Sequence, residues 1–185
     1  MNNKKRLITI VISLVLLLVI VKLGYNYLSE DVMPVETIDK KGAEETKKAP
    51  DIEVYNEAGE TIKLSDYKGK KPVIINIWAS WCGPCKSEMP YFEKAMKKYS
   101  DDVEILMINL TDGQRETKEK ALKYIKENNF DMNILFDEKL SAANAYRVRG
   151  IPRTILIDID GNIVVDKEGA VTETELNNYI KKLIK

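Results

Sequence analysis

Histidine is absent from this 185-residue chain. With it go the commonest metal ligand and the commonest general base, which excludes most hydrolase, zinc and haem-ligation chemistries. Cysteine is nearly absent too. Cys82 and Cys85 are the only two, so no framework of structural disulfides holds the fold together. Excess charge of either sign is lacking: 29 basic residues balance 29 acidic ones, and nothing draws the chain broadly to nucleic acid. No internal repeat is visible. The chain has room for one ordinary domain plus extras, and its 44% hydrophobic content lets the part beyond residue 50 build a core without covalent staples.

A further absence concerns the N-terminus, where no alanine precedes Ala43. Lys4, Lys5 and Arg6 open an apolar run from Leu7 to Val21 that only Thr9 and Ser13 interrupt. As a helix, residues 7–23 span about 25 Å, slightly short of a ~30 Å hydrocarbon core. Lys22 can snorkel, and Tyr25 and Tyr27 suit the headgroup belt. A cleaved signal peptide also starts basic and apolar, but cleavage wants an Ala-x-Ala-like pattern, and lipoprotein processing wants a cysteine after the run. Residues 7–28 therefore read as an uncleaved single-pass transmembrane signal-anchor behind a cytoplasmic basic segment, 1–6. The positive-inside bias puts the remainder outside the cytoplasm, at the cell membrane. Residues 29–50 are polar and charged, a flexible tether with an r.m.s. reach of roughly 25 Å.

From residue 51 the pattern becomes that of a folded domain, 51–185. Segments 51–55 and 61–64 flank a Glu57-Ala58-Gly59-Glu60 turn and predict a hairpin. Strands are expected over 73–78, 103–110, 134–136, 154–158 and 163–165. Helices are expected over 86–99, 116–128, 140–146 and 174–184. Strands alternating with helices argue an α/β fold with an antiparallel pair near the end.

Cys82-Gly83-Pro84-Cys85 follows a buried-type strand and opens a helix. The thiolate is the nucleophile in thiol chemistry, and a helix N-terminus stabilises it through unpaired N–H groups and the positive dipole end. Three-residue spacing in a helix brings Cys85 back under Cys82, so the pair can close a disulfide. Pro84 suits the helix start, where its missing N–H costs nothing. A zinc site would need ligands that only a second molecule could supply, and a structural disulfide across so small a loop adds little stability.

The segment Trp78-Ala79-Ser80-Trp81-Cys82-Gly83-Pro84-Cys85-Lys86 resembles the active-site segment of the thioredoxin-like superfamily almost residue for residue. Pro90 matches that family's helix proline. The segment from Tyr146 to Pro152 resembles its cis-proline loop, while Asp160-Gly161 and Gly169 fall at its hairpin turn and glycine. Leu64 to Lys70, the extra helix and strand over 111–136 and the anchor resemble the membrane-anchored TlpA/ResA-like branch, related to the redoxin (AhpC/TSA) proteins. The resemblance implies a thioredoxin-like fold: a central mixed β-sheet flanked by helices, with an N-terminal β-hairpin and an inserted helix–strand. It implies a thiol–disulfide oxidoreductase that works without a cofactor, Cys82 and Cys85 being its redox-active pair. Trp81, Gly83, Pro84, Ile151 and Pro152 would form the substrate side, and a cis Ile151–Pro152 bond would leave the residue-151 backbone free to pair with substrate.

Two positions depart from thioredoxin itself. Asn76 stands where a buried aspartate is usual, and Arg153 where threonine commonly follows the cis-proline. Glu88, three after Cys85 and on its side of the helix, matches a glutamate of the ResA-like proteins and would act beside the dithiol. By spacing alone it reads equally as a solvated helix-face carboxylate. Arg153 reads as a surface arginine rather than a substrate contact. Trp78 falls in the core by alternation, and Trp81 frames Cys82.

A Gly-Pro pair between the cysteines resembles reducing thioredoxins. The family then implies disulfide-containing protein substrates, apocytochrome c during cytochrome c maturation among them, and a transmembrane electron donor of the CcdA/DsbD type. Two other classes compete. A thiol peroxidase would place Pro-x-x-x-Thr/Ser before its cysteine, which Asn76, Ala79 and Trp81 do not match; a non-enzymatic envelope chaperone or assembly module would use the same groove.

Overall fold

The structure, a computed structural model, describes residues 12–23 and 47–184. The chain divides into two units, Met1–Glu44 and Glu45–Lys185. In the first, residues 12–23 form a helix, α1, whose apolar side chains are exposed. Among the described residues no helix is long and apolar enough to cross a membrane. The basic segment 1–6, both ends of the expected span 7–28 and most of the tether lie outside the described residues.

The second unit runs β1 (Glu53–Tyr55), β2 (Thr61–Lys63), a 3-10 turn (Leu64–Asp66), β3 (Val73–Trp78), α2 (Gly83–Tyr99), β4 (Glu104–Asn109), α3 (Lys118–Glu127), β5 (Ile134–Phe136), α4 (Ser141–Ala145), β6 (Arg153–Ile157), β7 (Ile163–Glu168) and α5 (Glu173–Leu183). Seven strands form one mixed sheet in the order β2-β1-β5-β4-β3-β6-β7. Strand β3 pairs in parallel with β4 and antiparallel with β6, so it sits near the middle of the sheet.

A strand covered on both faces needs apolar residues at nearly every position. VIINIW supplies them, and all six residues of β3 are buried. Ile74 and Trp78 face one core layer, packed with Met89 and Phe92 of α2 and Leu176 and Ile180 of α5. Val73, Ile75 and Ile77 face the other, with Ala142 of α4 and Tyr146. Alternation puts Asn76 on the α2 side, and that places an amide where the site needs it. Full burial of a side chain such as Phe92 contributes about 1.5–3 kcal/mol, so the stripe Met89, Phe92, Ala95 holds α2 to the sheet.

Several boundaries differ from the sequence expectation, each for a local reason. Helix α2 starts at Gly83 instead of residue 86, because Cys82 caps it and Pro84 occupies its first turn. Helix α3 starts at Lys118 instead of 116: the Thr117 hydroxyl oxygen accepts the Lys120 N–H as its cap. Strand β7 runs on to Glu168 instead of 165, its polar end held by Arg153 across the ladder. In the β6–β7 turn Gly161 has φ +83°, a conformation that disfavours a side chain.

Candidate active site

Strand β3 ends at Trp78, and four residues, Ala79 to Cys82, carry the chain over to α2. Cys82 is the N-cap, with extended backbone (φ −84°, ψ 107°), so its sulfur points back over the first turn. The backbone N–H of Cys85 donates to Cys82 Sγ at 3.2 Å. The two cysteines are joined as a disulfide, with their Cα atoms 5.3 Å apart. Cys85 is fully buried and Cys82 is 4% exposed, so only Cys82 borders solvent. A thiolate there would receive the Cys85 N–H and the positive end of a 17-residue helix.

The loop before β6 closes over this junction. The Ile151 carbonyl oxygen lies 3.6 Å from Cys82 Sγ, and the Ile151–Pro152 peptide is cis, as the resemblance implied. The Pro152 carbonyl accepts the Gly169 N–H at 2.8 Å, which ties the loop to the end of β7. Gly83, Pro84 and Trp81 are exposed beside Cys82, and Ile151 is half-buried. Of the expected substrate-side residues, Ile151 touches the Cys82 sulfur, Trp81 and Gly83 flank Cys82 in the chain, and Pro152 is buried. Trp78 is core, while the face of Trp81 is covered by the Arg115 guanidinium, 3.4 Å from the ring centroid.

Glu88 is not a solvated helix-face carboxylate. It is fully buried, with Asn76 Nδ2 donating to Oε1 at 2.8 Å and the Val171 N–H donating to Oε2 at 2.7 Å. Burial pushes its carboxyl up to about 7, while those two donors and the Lys167 ammonium pull it part of the way back. The two positions singled out separately in the sequence, Asn76 and Glu88, therefore meet under the dithiol helix. Asn76 Nδ2 also donates to Thr154 Oγ1 at 3.2 Å, and its Oδ1 has no partner among the described residues.

Arg153 is not a free surface side chain. Its guanidinium forks onto Asp166 at 2.6 and 2.9 Å, reaches Glu168 at 3.5 Å, and is 17% exposed. It anchors β6 to β7 directly behind the cis-proline. Sequence reasoning missed Glu116. This carboxylate is fully buried and accepts the Ser80 N–H (3.2 Å), the Ser80 hydroxyl (2.8 Å) and Asn109 Nδ2 (3.0 Å). It fixes the loop that presents Cys82. One acid in the polar stretch Thr111-Asp112-Gly113-Gln114-Arg115-Glu116 gives no spacing signal for that role.

A helix-capping dithiol facing a cis-proline loop, on a mixed sheet with helices on both faces, is the working end of a thioredoxin-like thiol–disulfide oxidoreductase. The chain belongs to the AhpC/TSA family, whose model matches residues 46–172. It is 34% identical over 147 residues to the thioredoxin-like protein YneN of Bacillus subtilis, covering 78% of this chain and 85% of that one. It is 32% identical over 181 residues to the thiol-disulfide oxidoreductase ResA of Bacillus subtilis, covering 97% and 94%. Among solved structures it superimposes on the exposed lipoprotein thioredoxin of Streptococcus pneumoniae with a TM-score of 0.64 and 28% identity, covering 72% and 100%.

Proposed function

We propose that this oxidoreductase works outside the cytoplasm as a reductant, held at the membrane by residues 7–28. The observation that carries the reducing chemistry is the pairing of a sulfur at the surface, Cys82, with a buried one, Cys85, above a buried carboxyl that titrates near neutrality. Cys82 attacks a substrate disulfide as thiolate. A Cys82–substrate S–S bond forms, the substrate's own S–S bond breaks, and the departing sulfur takes up a proton. Cys85 then gives its proton to Glu88 and attacks Cys82 Sγ. The second substrate sulfur leaves, the Cys82–Cys85 disulfide closes, and two electrons have passed to the substrate. A general base is most effective when its pKa lies near the working pH, which suits Glu88. Trp81, Gly83, Pro84, Ile151 and Pro152 seat the substrate chain.

The apolar run behind Lys4, Lys5 and Arg6 supports the anchor, and the ResA relative aligns with 97% of the chain, so the likeness extends into this segment. That a solved relative is an exposed lipoprotein supports an extracytoplasmic site of action. Oxidised protein outside the cytoplasm must be recharged through the membrane, hence a thiol donor of the CcdA/DsbD type. The clients are disulfides of envelope or secreted proteins, apocytochrome c being one candidate. A peroxidase reading finds no support at Ala79, which has no hydroxyl to hold a peroxide and uses its carbonyl to accept the Cys82 N–H at 3.1 Å. Insulin disulfide reduction together with the dithiol's reduction potential tests the direction. The expected potential is near −270 mV; a value near −120 mV marks an oxidant and overturns the reading.

A further inference from the structure

The guanidinium of Arg115 lies over the ring of Trp81, the residue immediately before Cys82, its central carbon 3.4 Å from the ring centroid. Its position is built in. The next residue, Glu116, is buried beneath the same loop and grips both the N–H and the hydroxyl of Ser80, the residue before Trp81. Residues 115 and 116 thus grasp residues 80 and 81 from above and below. A guanidinium stacked by its face on an indole keeps its edge N–H donors directed outward, where they match the fork of a carboxylate. Among the described residues the Arg115 side chain has no hydrogen bond and no ion pair, and it is exposed.

Other basic residues lie close in sequence to the site, though Arg149 lines a cavity with Arg147, Arg153 and Asp166 and the Lys86 ammonium sits over the Tyr124 ring. Arg149 is exposed and lies two residues before Ile151, whose carbonyl touches Cys82 Sγ. Lys86, exposed, follows Cys85. Of the nearby carboxylates, Asp112 Oδ1 accepts the Gln114 and Glu116 N–H groups, while Glu168, 3.5 Å from Arg153, lies against Gly150 on the cis-proline loop.

We propose that Arg115 is a specificity-determining residue that selects disulfides flanked by carboxylates, so that the preferred substrates are acidic around their cystine. The inference rests on the reducing reading above. An exposed arginine–carboxylate pair changes an equilibrium by up to about fivefold and fades as salt shortens the screening length from ~10 Å at 0.1 M to ~3 Å at 1 M.

The test uses the full chain, pre-reduced, and two cystine peptides identical except for Asp or Lys on either side of the disulfide. Each rate is divided by the same variant's rate with neutral 2-hydroxyethyl disulfide. The acidic peptide is expected to react about fivefold faster at low salt, the gap closing near 1 M salt. In Arg115→Ala the ratio should drop below about twofold, with Arg115→Lys intermediate. Equal rates for the two peptides, or a preference undiminished in Arg115→Ala, overturn the assignment while leaving the reductase reading intact. Failure to reduce even the neutral disulfide strikes that reading first, and the substrate preference falls with it.

Discussion

Replacing Glu88 with glutamine should raise stability above neutrality and leave it nearly unchanged in acid. In the folded chain the Glu88 carboxyl sits at about 7 against an ordinary value of 4.5, and burial is the main cause. The folded state therefore binds this proton more tightly than the unfolded one. Its stabilising contribution is complete below the unfolded pKa of 4.5 and is lost as pH rises through about 7. At roughly 1.4 kcal/mol per tenfold in the proton equilibrium, the loss amounts to about 3 kcal/mol. Glutamine has the shape of the protonated acid and no charge to bury. It keeps only one acceptor for the two donors at 2.8 and 2.7 Å, but its amide can donate to Asn76 Oδ1, now unpartnered, once the Asn76 amide turns over. Allowing about 1 kcal/mol for that rearrangement, the net gain near pH 8 is about 1–3 kcal/mol. Urea unfolding of the oxidised protein, whose cysteines do not titrate, measures it. With slopes of about 1–3 kcal/mol per molar urea, the midpoint should rise by roughly 1 M near pH 8 and by little near pH 4.5. A variant less stable than the parent near pH 8, or a difference that ignores pH, refutes the assignment of a strained buried carboxyl.

Cys85→Ala should accumulate mixed disulfides between Cys82 and client proteins, detected on non-reducing gels; failure to trap any removes Cys82 from the attacking role. Glu116→Ala orphans Ser80 and Asn109 in a buried setting and should cost about 2–3 kcal/mol in urea unfolding, with slower insulin reduction because the Cys82 loop loosens. A surface carboxylate would cost almost nothing, so an unchanged midpoint would show that Glu116 holds nothing.

The parts of the fold that were readable in advance owe their legibility to periodicity. VIINIW, short and β-branched after Pro72, fits a strand covered on both sides, and the stripe through Met89, Phe92 and Tyr99 fits a buried helix face. Element ends were harder, because they depend on single capping groups: the Cys82 sulfur for α2 and the Thr117 hydroxyl for α3. The dithiol and the cis-proline loop were legible by resemblance. Burial of Glu88 was not legible from spacing, since the same position on a helix fits solvent equally well. What buries it is a contact with Val171, far along the chain, just before the cap of α5. Arg153 and Glu116 were opaque for the same reason. Each is defined by partners on another strand or loop, and a charged residue announces no partner in one dimension.

The unequal exposure of the two sulfurs has a kinetic consequence. Cys85 is sealed, so in the proposed reducing cycle the client and the recharging donor would both have to engage Cys82 through a single doorway. They cannot occupy it together. On that cycle no ternary complex would form, and the enzyme would alternate between two half-reactions in ping-pong fashion. Each partner becomes a competitive inhibitor of the other's step, and turnover is highest when neither crowds the entrance.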